Sequence, residues 1–144
     1  MMYTIERAAV IGSGVMGSAI AAHLANVGIP VYLYDLVPSE LTEEEKRKGL
    51  SLASPEVRYR IVVQNRLKLL KQKPDPLYTS TKLDLITPCN LIDDLDKLSQ
   101  VDWIVEAIVE NLAAKRELLA KIETYRGAAT IVSSNTSGIS IEKL

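Results

Sequence analysis

Three glycines at fixed spacing, Gly12-x-Gly14-x-x-Gly17, follow directly on an apolar run at residues 8–11. Apolar residues at helical spacing come next and stop at Gly28, and a second apolar run at residues 31–34 follows. A buried strand, a tight turn, a helix and a second parallel strand make a βαβ unit with a right-handed crossover. The first 35 residues therefore predict an α/β fold.

The rest of the chain continues this alternation of strands and helices. The remaining predicted elements are two surface helices in 38–76, a strand at 85–87 that Pro88 stops, a strand at 103–105, a helix capped by Asn111 with Ala114, Leu118, Ile122 and Tyr125 on one face, and a strand at 130–132. About five strands alternating with helices are typical of a doubly wound, mainly parallel sheet with helices on both faces. We expect one such domain over residues 1–144.

Composition excludes several classes of protein. With 47% hydrophobic and 24% charged residues, and 17 basic against 18 acidic groups, the chain has the makeup of an ordinary soluble globular domain. Cys89 is the one cysteine, so an intrachain disulfide and a cysteine-rich metal site are excluded, and we interpret Cys89 as a buried spectator thiol. Neither a signal peptide nor a membrane span is recognisable, so we expect a cytoplasmic protein that binds neither membrane nor nucleic acid.

The glycine motif predicts a dinucleotide site at residues 12–17. The first glycine permits a tight turn, the second a close approach of the backbone to a diphosphate, and the third close packing of helix on strand. Helix-start amides carry partial positive charge and bind phosphate without a basic side chain. The predicted cofactor-binding residues here are Gly12, Ser13, Gly14, Val15, Met16 and Gly17.

Asp35 indicates which dinucleotide is bound. It ends the second predicted strand, where a carboxylate accepts hydrogen bonds from the adenosine ribose. The next residues, Leu36-Val37-Pro38, offer no cation to a 2′-phosphate. The sequence therefore predicts NAD rather than NADP.

Other polar residues leave alternatives open. His23 lies within the first crossover helix, too far along it for a general base, and we interpret it as structural. Glu106 and Glu110 are either cofactor-site carboxylates or a solvated helix start, and the polar loop 134–137 either orients a substrate or caps a helix. A basic segment with six Lys and Arg residues between Arg58 and Lys73 is either a solvated face or a surface for a phosphate-bearing substrate such as coenzyme A.

Three segments together resemble the 3-hydroxyacyl-CoA dehydrogenase family: residues 12–21, residues 105–112 and the Ser-Asn-Thr-Ser stretch 134–137. The resemblance implies that NAD is the cofactor and that Glu110 and Lys115 contact its nicotinamide-ribose side. It also implies that Ser137 lies between cofactor and substrate, and that Lys68 and Lys71 meet coenzyme A.

The family's reaction is hydride transfer from C3 of a 3-hydroxyacyl-CoA to NAD in fatty-acid β-oxidation. The resemblance implies a histidine base oriented by a glutamate, in a segment later than these residues, and a helical C-terminal domain that forms the dimer contact. We therefore expect this chain to bind NAD but to be inactive by itself. Two alternatives are a non-catalytic NAD-binding module and a 6-phosphogluconate or 3-hydroxyisobutyrate type of dehydrogenase, against which Asp35-Leu36-Val37 argues.

Overall fold

Five parallel strands form one sheet in the computed structural model, which describes residues 2–144. The strands are β1 (Ala8–Ile11), β2 (Val31–Asp35), β3 (Ile86–Asn90), β4 (Trp103–Glu106) and β5 (Ile131–Ser134). Their order in the sheet is β3-β2-β1-β4-β5, and every neighbouring pair is parallel. The first crossover therefore goes from β1 to β2, and the chain later returns to the other side of β1 with β4.

Over residues 2–144 the structure has five α-helices and three short 3₁₀ segments, and all but the last of these segments lie between strands. The helices are α1 (Val15–Asn26), α2 (Glu43–Arg47), α3 (Pro55–Arg58), α4 (Arg60–Lys68) and α5 (Leu112–Tyr125), and the 3₁₀ segments are Ser80–Leu85, Leu95–Gln100 and Ile141–Lys143. Within residues 2–144, no helix combines the length and the apolar surface that a membrane crossing requires.

Apolar clusters cover both faces of the sheet. Ala8 and Val10 belong to one cluster and Ala9 and Ile11 to the other, because successive side chains of a strand point to opposite faces. The first cluster includes residues of α1 and α4, and the second includes residues of α5 and the 3₁₀ segment Leu95–Gln100. The predicted doubly wound architecture is therefore confirmed.

Two predicted elements have different bounds in the structure. β3 continues through Pro88, which lies opposite Leu33 of β2, although the sequence predicted that Pro88 would stop it. β3 is an edge strand. Its outer side pairs with no other strand, so a proline, which has no N–H, can be accommodated there without loss of a hydrogen bond between strands. The segment 38–76 holds three short helices rather than two, because Pro55 starts a separate helix and the backbone of Tyr59 leaves helical geometry before α4.

Helix α5 keeps its predicted cap but not all of its predicted inner face. The Asn111 side chain accepts a hydrogen bond from the Ala114 amide at 2.9 Å, as predicted. Leu118 and Ile122 are buried, whereas Tyr125 is exposed. Lys115 is the third buried residue of the helix, and its ammonium group lies at the end of the sheet where the candidate site is found.

Candidate functional site

A crevice of about 700 Å³ opens at the carboxyl ends of β1, β2 and β4. In a doubly wound sheet, successive strands are added first on one side of β1 and then on the other. Ligands bind in the crevice outside the carboxyl ends of the strands at the point where this order reverses. Its walls come from the residues that follow β1, β2, β3 and β4 and from the first half of α5. The lining includes Gly12, Gly14, Val15, Met16, Asp35, Leu36, Val37, Asn65, Leu91, Ile92, Ala107, Ile108, Val109, Ala114, Glu117, Leu118 and Lys121.

The three glycines of the loop have different surroundings. Gly12 has a φ of +106°, and a β-carbon there would come within 2.5 Å of the Ala107 carbonyl oxygen. A β-carbon on Gly17 would lie 1.7 Å from the Gly12 carbonyl oxygen. Around Gly14, by contrast, a β-carbon would meet nothing within 4 Å. Gly12 and Gly17 are therefore required by the fold itself, whereas Gly14 leaves open space beside the crevice.

The start of α1 faces this open space. Gly14 is its N-cap and supplies no side-chain hydrogen bond, and the first turn holds no acidic residue. Val15 and Met16 are 78% and 57% exposed. The first amides of the helix have no intrahelical partner and carry partial positive charge, so they can receive an anion.

Asp35 lies across the loop from the helix start, and its carboxylate is already oriented. Its Oδ2 accepts hydrogen bonds from the amide of Ser13, at 2.9 Å, and from the Ser13 hydroxyl, while Oδ1 accepts from the Leu36 amide at 2.7 Å. The Ser13 hydroxyl in turn accepts from the Asn65 side-chain amide at 2.9 Å. Because a carboxylate has about four acceptor positions, room remains for one further donor from the crevice.

A buried ion pair lies where β4 meets α5. The Lys115 ammonium group donates to both oxygens of Glu106, at 2.6 and 2.8 Å, and the two side chains are 1% and 0% exposed. The Ile108 amide, at 2.8 Å, and the Ser134 hydroxyl also donate to Glu106. Every oxygen of this buried carboxylate is thus satisfied, as a buried charge requires.

Glu110 holds the polar loop that follows β5. It accepts hydrogen bonds from the Thr136 hydroxyl and, at 3.0 Å, from the Gly138 amide. These two donors keep the pKa of Glu110 below its ordinary value. Glu110 also lies 3.6 Å from the Lys115 ammonium group, and Ser137, between the two loop contacts, is exposed.

Most side chains of the basic segment form hydrogen bonds or ion pairs with other residues of the protein. Arg58 forms a bidentate pair with Asp93, and Arg60 pairs with Glu45. Arg66 donates to two backbone carbonyls, Lys73 pairs with Asp75, and Lys68 donates to the Asn65 side-chain carbonyl at 3.1 Å. Lys68 and Lys71 are exposed and line a second cavity, of about 400 Å³, on the side of the glycine loop that faces α4.

His23 and Cys89 lie away from the crevice lining. His23 is exposed in the last turn of α1. Cys89 is fully buried in β3, and burial raises the pKa of its thiol to about 12. Among residues 2–144 there is no group of three or more His, Cys, Asp and Glu side chains that could hold a metal ion.

The structure thus brings most predicted residues to one edge of the sheet. The glycine loop and Asp35 lie together, and Glu110, Lys115 and Ser137 form a neighbouring group at the ends of β4 and β5. Asn65, Leu91 and Ile92 were not predicted as site residues, because they come from connecting segments whose course a strand pattern does not predict. The role of Glu106 was also left open, although a glutamate that ends a fully apolar strand is a signal of a paired buried charge.

Comparison with known proteins identifies relatives over nearly the whole chain. Residues 7–144 match the family model described as "3-hydroxyacyl-CoA dehydrogenase, NAD binding domain". A Bacillus subtilis protein named "Probable 3-hydroxyacyl-CoA dehydrogenase" is 56% identical over 140 residues, which are 97% of this chain and 18% of that protein. A Deinococcus radiodurans protein of the same name is 45% identical over 135 residues, or 94% of this chain and 35% of that protein. The chain therefore spans only 18% and 35% of the length of these two relatives.

Solved structures match the fold in the same way. The crystal structure of 3-hydroxybutyryl-CoA dehydrogenase from Escherichia coli K12 aligns with a TM-score of 0.67 at 27% identity, over 97% of this chain and 26% of that one. The (S)-3-hydroxybutyryl-CoA dehydrogenase of Ralstonia eutropha aligns with a TM-score of 0.64 at 28% identity, over 98% and 44% of the two chains.

Proposed function

The chain belongs to the family of the 3-hydroxyacyl-CoA dehydrogenase NAD-binding domain, and on that premise we propose which of its residues hold the cofactor. The observation that carries the proposal is that the open space at Gly14 and the oriented carboxylate of Asp35 line the same crevice beside one loop. A diphosphate would fill the open space at Gly14, and the adenosine ribose would reach the Asp35 carboxylate.

The proposed position of NAD follows the walls of the crevice. The amides at the start of α1 would hold the diphosphate, because their partial positive charge would stabilise it. Asp35 would accept from a ribose hydroxyl, and the apolar crevice residues Val37, Leu91 and Ile92 would contact the adenine. Ala107, at the end of β4, would face the nicotinamide half.

We assign the nicotinamide-ribose side to Glu110, Lys115 and Ser137. Glu110 keeps a partly exposed carboxylate, 43% accessible, that can accept a ribose hydroxyl. Lys115 is 1% exposed, so we assign it an electrostatic contribution through Glu110 rather than an exposed contact. Ser137 is exposed in the loop that Glu110 holds, where its hydroxyl can reach both cofactor and a substrate oxygen.

The reaction we propose for the protein is that of the family. When bound, NAD would supply the hydride acceptor for C3 of a 3-hydroxyacyl-CoA, and a base would take the hydroxyl proton, so that the product would be the 3-ketoacyl-CoA. We assign no base among the crevice residues described, since the histidine of this domain, His23, is exposed on α1. By itself the domain should bind NAD without turnover, because hydride transfer needs donor and acceptor aligned.

For coenzyme A we propose Lys68 and Lys71, the exposed cations of the second cavity. Their charge would favour phosphate groups, and the contact would weaken as salt is raised. Titration of the chain with coenzyme A tests this, alongside the double variant Lys68→Met/Lys71→Met. Equal binding by the wild type and the double variant would remove both lysines from the substrate site.

Calorimetric titration with NADH and NADPH tests the cofactor site. We expect NADH to bind more tightly, because the Asp35 carboxylate would repel a 2′-phosphate and no cation follows it. Asp35→Ala should weaken NADH binding about tenfold or more, the effect of losing a hydrogen bond to a charged group, and should remove the preference over NADPH.

Asp84→Ala is the matched control, since Asp84 is an exposed carboxylate that precedes β3, at the amino end of the strands, whereas Asp35 lies at the carboxyl end of β2. It should bind NADH as the wild type does. Unchanged NADH affinity in Asp35→Ala would take Asp35 out of the site, and absence of binding by the wild type would refute the cofactor assignment as a whole.

A further inference from the structure

Lys115 lies between two carboxylates of very different character. Glu106 is fully buried and contacts the ammonium group with both oxygens, at 2.6 and 2.8 Å. Glu110 is 43% exposed, and its nearer oxygen stands 3.6 Å from the same ammonium group. One cation thus has an inner and an outer anion within reach.

The two carboxylates divide the available donors between them. Glu106 takes the lysine together with the Ile108 amide and the Ser134 hydroxyl. Glu110 takes the Thr136 hydroxyl and the Gly138 amide. The loop that carries Ser137 is therefore held by Glu110 at residues on both sides of the serine.

Removal of the inner charge would disturb this division. A buried cation that loses its partner is strongly destabilised and turns to any anion it can reach. For Lys115 that anion is Glu110, whose Oε2 stands 3.6 Å from the ammonium group while its Oε1 accepts from Thr136 and Gly138. Closing the 3.6 Å distance would pull the carboxylate, and with it Oε1, away from the loop.

We infer that Glu106 is a positioning residue: by engaging Lys115 with both oxygens, it keeps the ammonium group from drawing Glu110 away from the loop that carries Ser137. Glu106 has no need to touch the cofactor for this. The inference rests on the proposed function for its consequence in binding, but its structural part does not depend on it.

Amide NMR of the chain without cofactor tests the structural part. In Glu106→Gln the Gly138 amide proton should move upfield and exchange faster with solvent, because its hydrogen bond to Glu110 is lost. In Glu106→Gln/Lys115→Met the signal should return to its wild-type position, because no lysine then competes for Glu110. Glu123→Gln, which removes an exposed carboxylate paired with Arg126 on the same helix, is the control and should leave the signal in place.

The titration with NADH tests the consequence. Glu106→Gln should bind NADH about tenfold more weakly, the loss that corresponds to one hydrogen bond to a charged group, and the double variant should recover part of that loss. A merely structural role would leave the double variant as impaired as the single one.

Three results would overturn the inference. They are a Gly138 signal unchanged in Glu106→Gln, a signal that stays displaced in the double variant, and failure of the double variant to fold. If Glu106→Gln alone does not fold, the Gly138 signal of the double variant decides, and a wild-type position supports the inference. Failure of the wild type to bind NADH would refute the proposed function while leaving the NMR result valid.

Discussion

Replacing Gly14 and Gly17 by alanine, one at a time, separates what the fold needs from what the cofactor needs. In Gly17→Ala the new carbon would lie 1.7 Å from the Gly12 carbonyl oxygen, and ordinary contact begins near 3.4 Å. The carbonyl oxygen belongs to the backbone and the new carbon is fixed to it, so neither can rotate away. The loop and α1 would therefore have to move apart by most of the gap between 1.7 and 3.4 Å. Overpacking of this kind costs about 3 kcal/mol or more, which for a chain of this size lowers Tm by about 10 °C.

Gly14→Ala should behave in the opposite way. Its φ of −65° and ψ of −170° suit alanine, and nothing lies within 4 Å of the new carbon. The exchange at a helix N-cap costs less than about 1 kcal/mol, so Tm should fall by no more than about 4 °C. The carbon would nevertheless occupy the space proposed for the diphosphate, and loss of two hydrogen bonds to that anion would weaken NADH binding by more than about a hundredfold.

Differential scanning calorimetry of the two variants and the wild type checks the predicted Tm values, and NADH titration checks the predicted affinities. Wild-type NADH affinity in Gly14→Ala would refute the proposed path of the diphosphate. Wild-type thermal stability in Gly17→Ala would contradict the close approach of α1 to the loop.

Three further predictions concern stability and reactivity. Asn111→Ala removes the cap of α5 and should cost about 1 kcal/mol, seen as a Tm lower by about 4 °C; an unchanged Tm would mean that the cap contributes nothing. Burial raises the pKa of Cys89 to about 12, so an aromatic disulfide reagent should label it only in denaturant, and rapid labelling of the native chain would contradict its burial. Arg58, with Asn90, lowers the pKa of Asp93 from 3.8 to about 2. Because the folded-state pKa is the lower one, the stabilisation is present above about pH 4 and lost as the pH falls towards 2, so thermal unfolding of Asp93→Asn should depend less on pH over that range than that of the wild type.

The elements that were predicted correctly are those in which the local residue pattern and the tertiary structure agree. β1, α1 and β2 followed from apolar runs separated by glycine, because a strand buried on both faces and a turn with positive φ leave few other residues possible. β3 was misjudged because Pro88 excludes a central strand but not an edge strand, and the position of a strand within a sheet is not a local property. The number of helices in 38–76 was wrong because Pro55, which begins a helix of its own, was not treated as a boundary, and because the break at Tyr59 has no signal in the apolar pattern.

The candidate site was predictable in its residues but not in their partners. Asp35 and the glycines followed from spacing, whereas the burial of Lys115 did not, because lysine is rarely buried and its counter-ion Glu106 lies nine residues away. Likewise, the six Lys and Arg residues between Arg58 and Lys73 were predicted to form one positively charged segment, because the sequence does not show their ion-pair partners. Tertiary contacts neutralise Arg58 and Arg60 with acidic partners that lie far along the chain or in another helix.

The hydrogen bonds from Ser13 and Leu36 to Asp35 have a consequence for the entropy of binding. They fix both torsions of the aspartate before any ligand arrives, and freezing a free side chain on association costs about 0.5 to 1.5 kcal/mol. In Asp35 this loss of side-chain entropy occurs when the loop folds, so it does not reduce the free energy of binding. A ribose that meets Asp35 therefore finds a rigid acceptor. Replacing the Ser13 side chain would remove its hydroxyl donor to Asp35 and would weaken binding through the disorder of the empty site, in addition to any direct contact that Ser13 makes with the ligand.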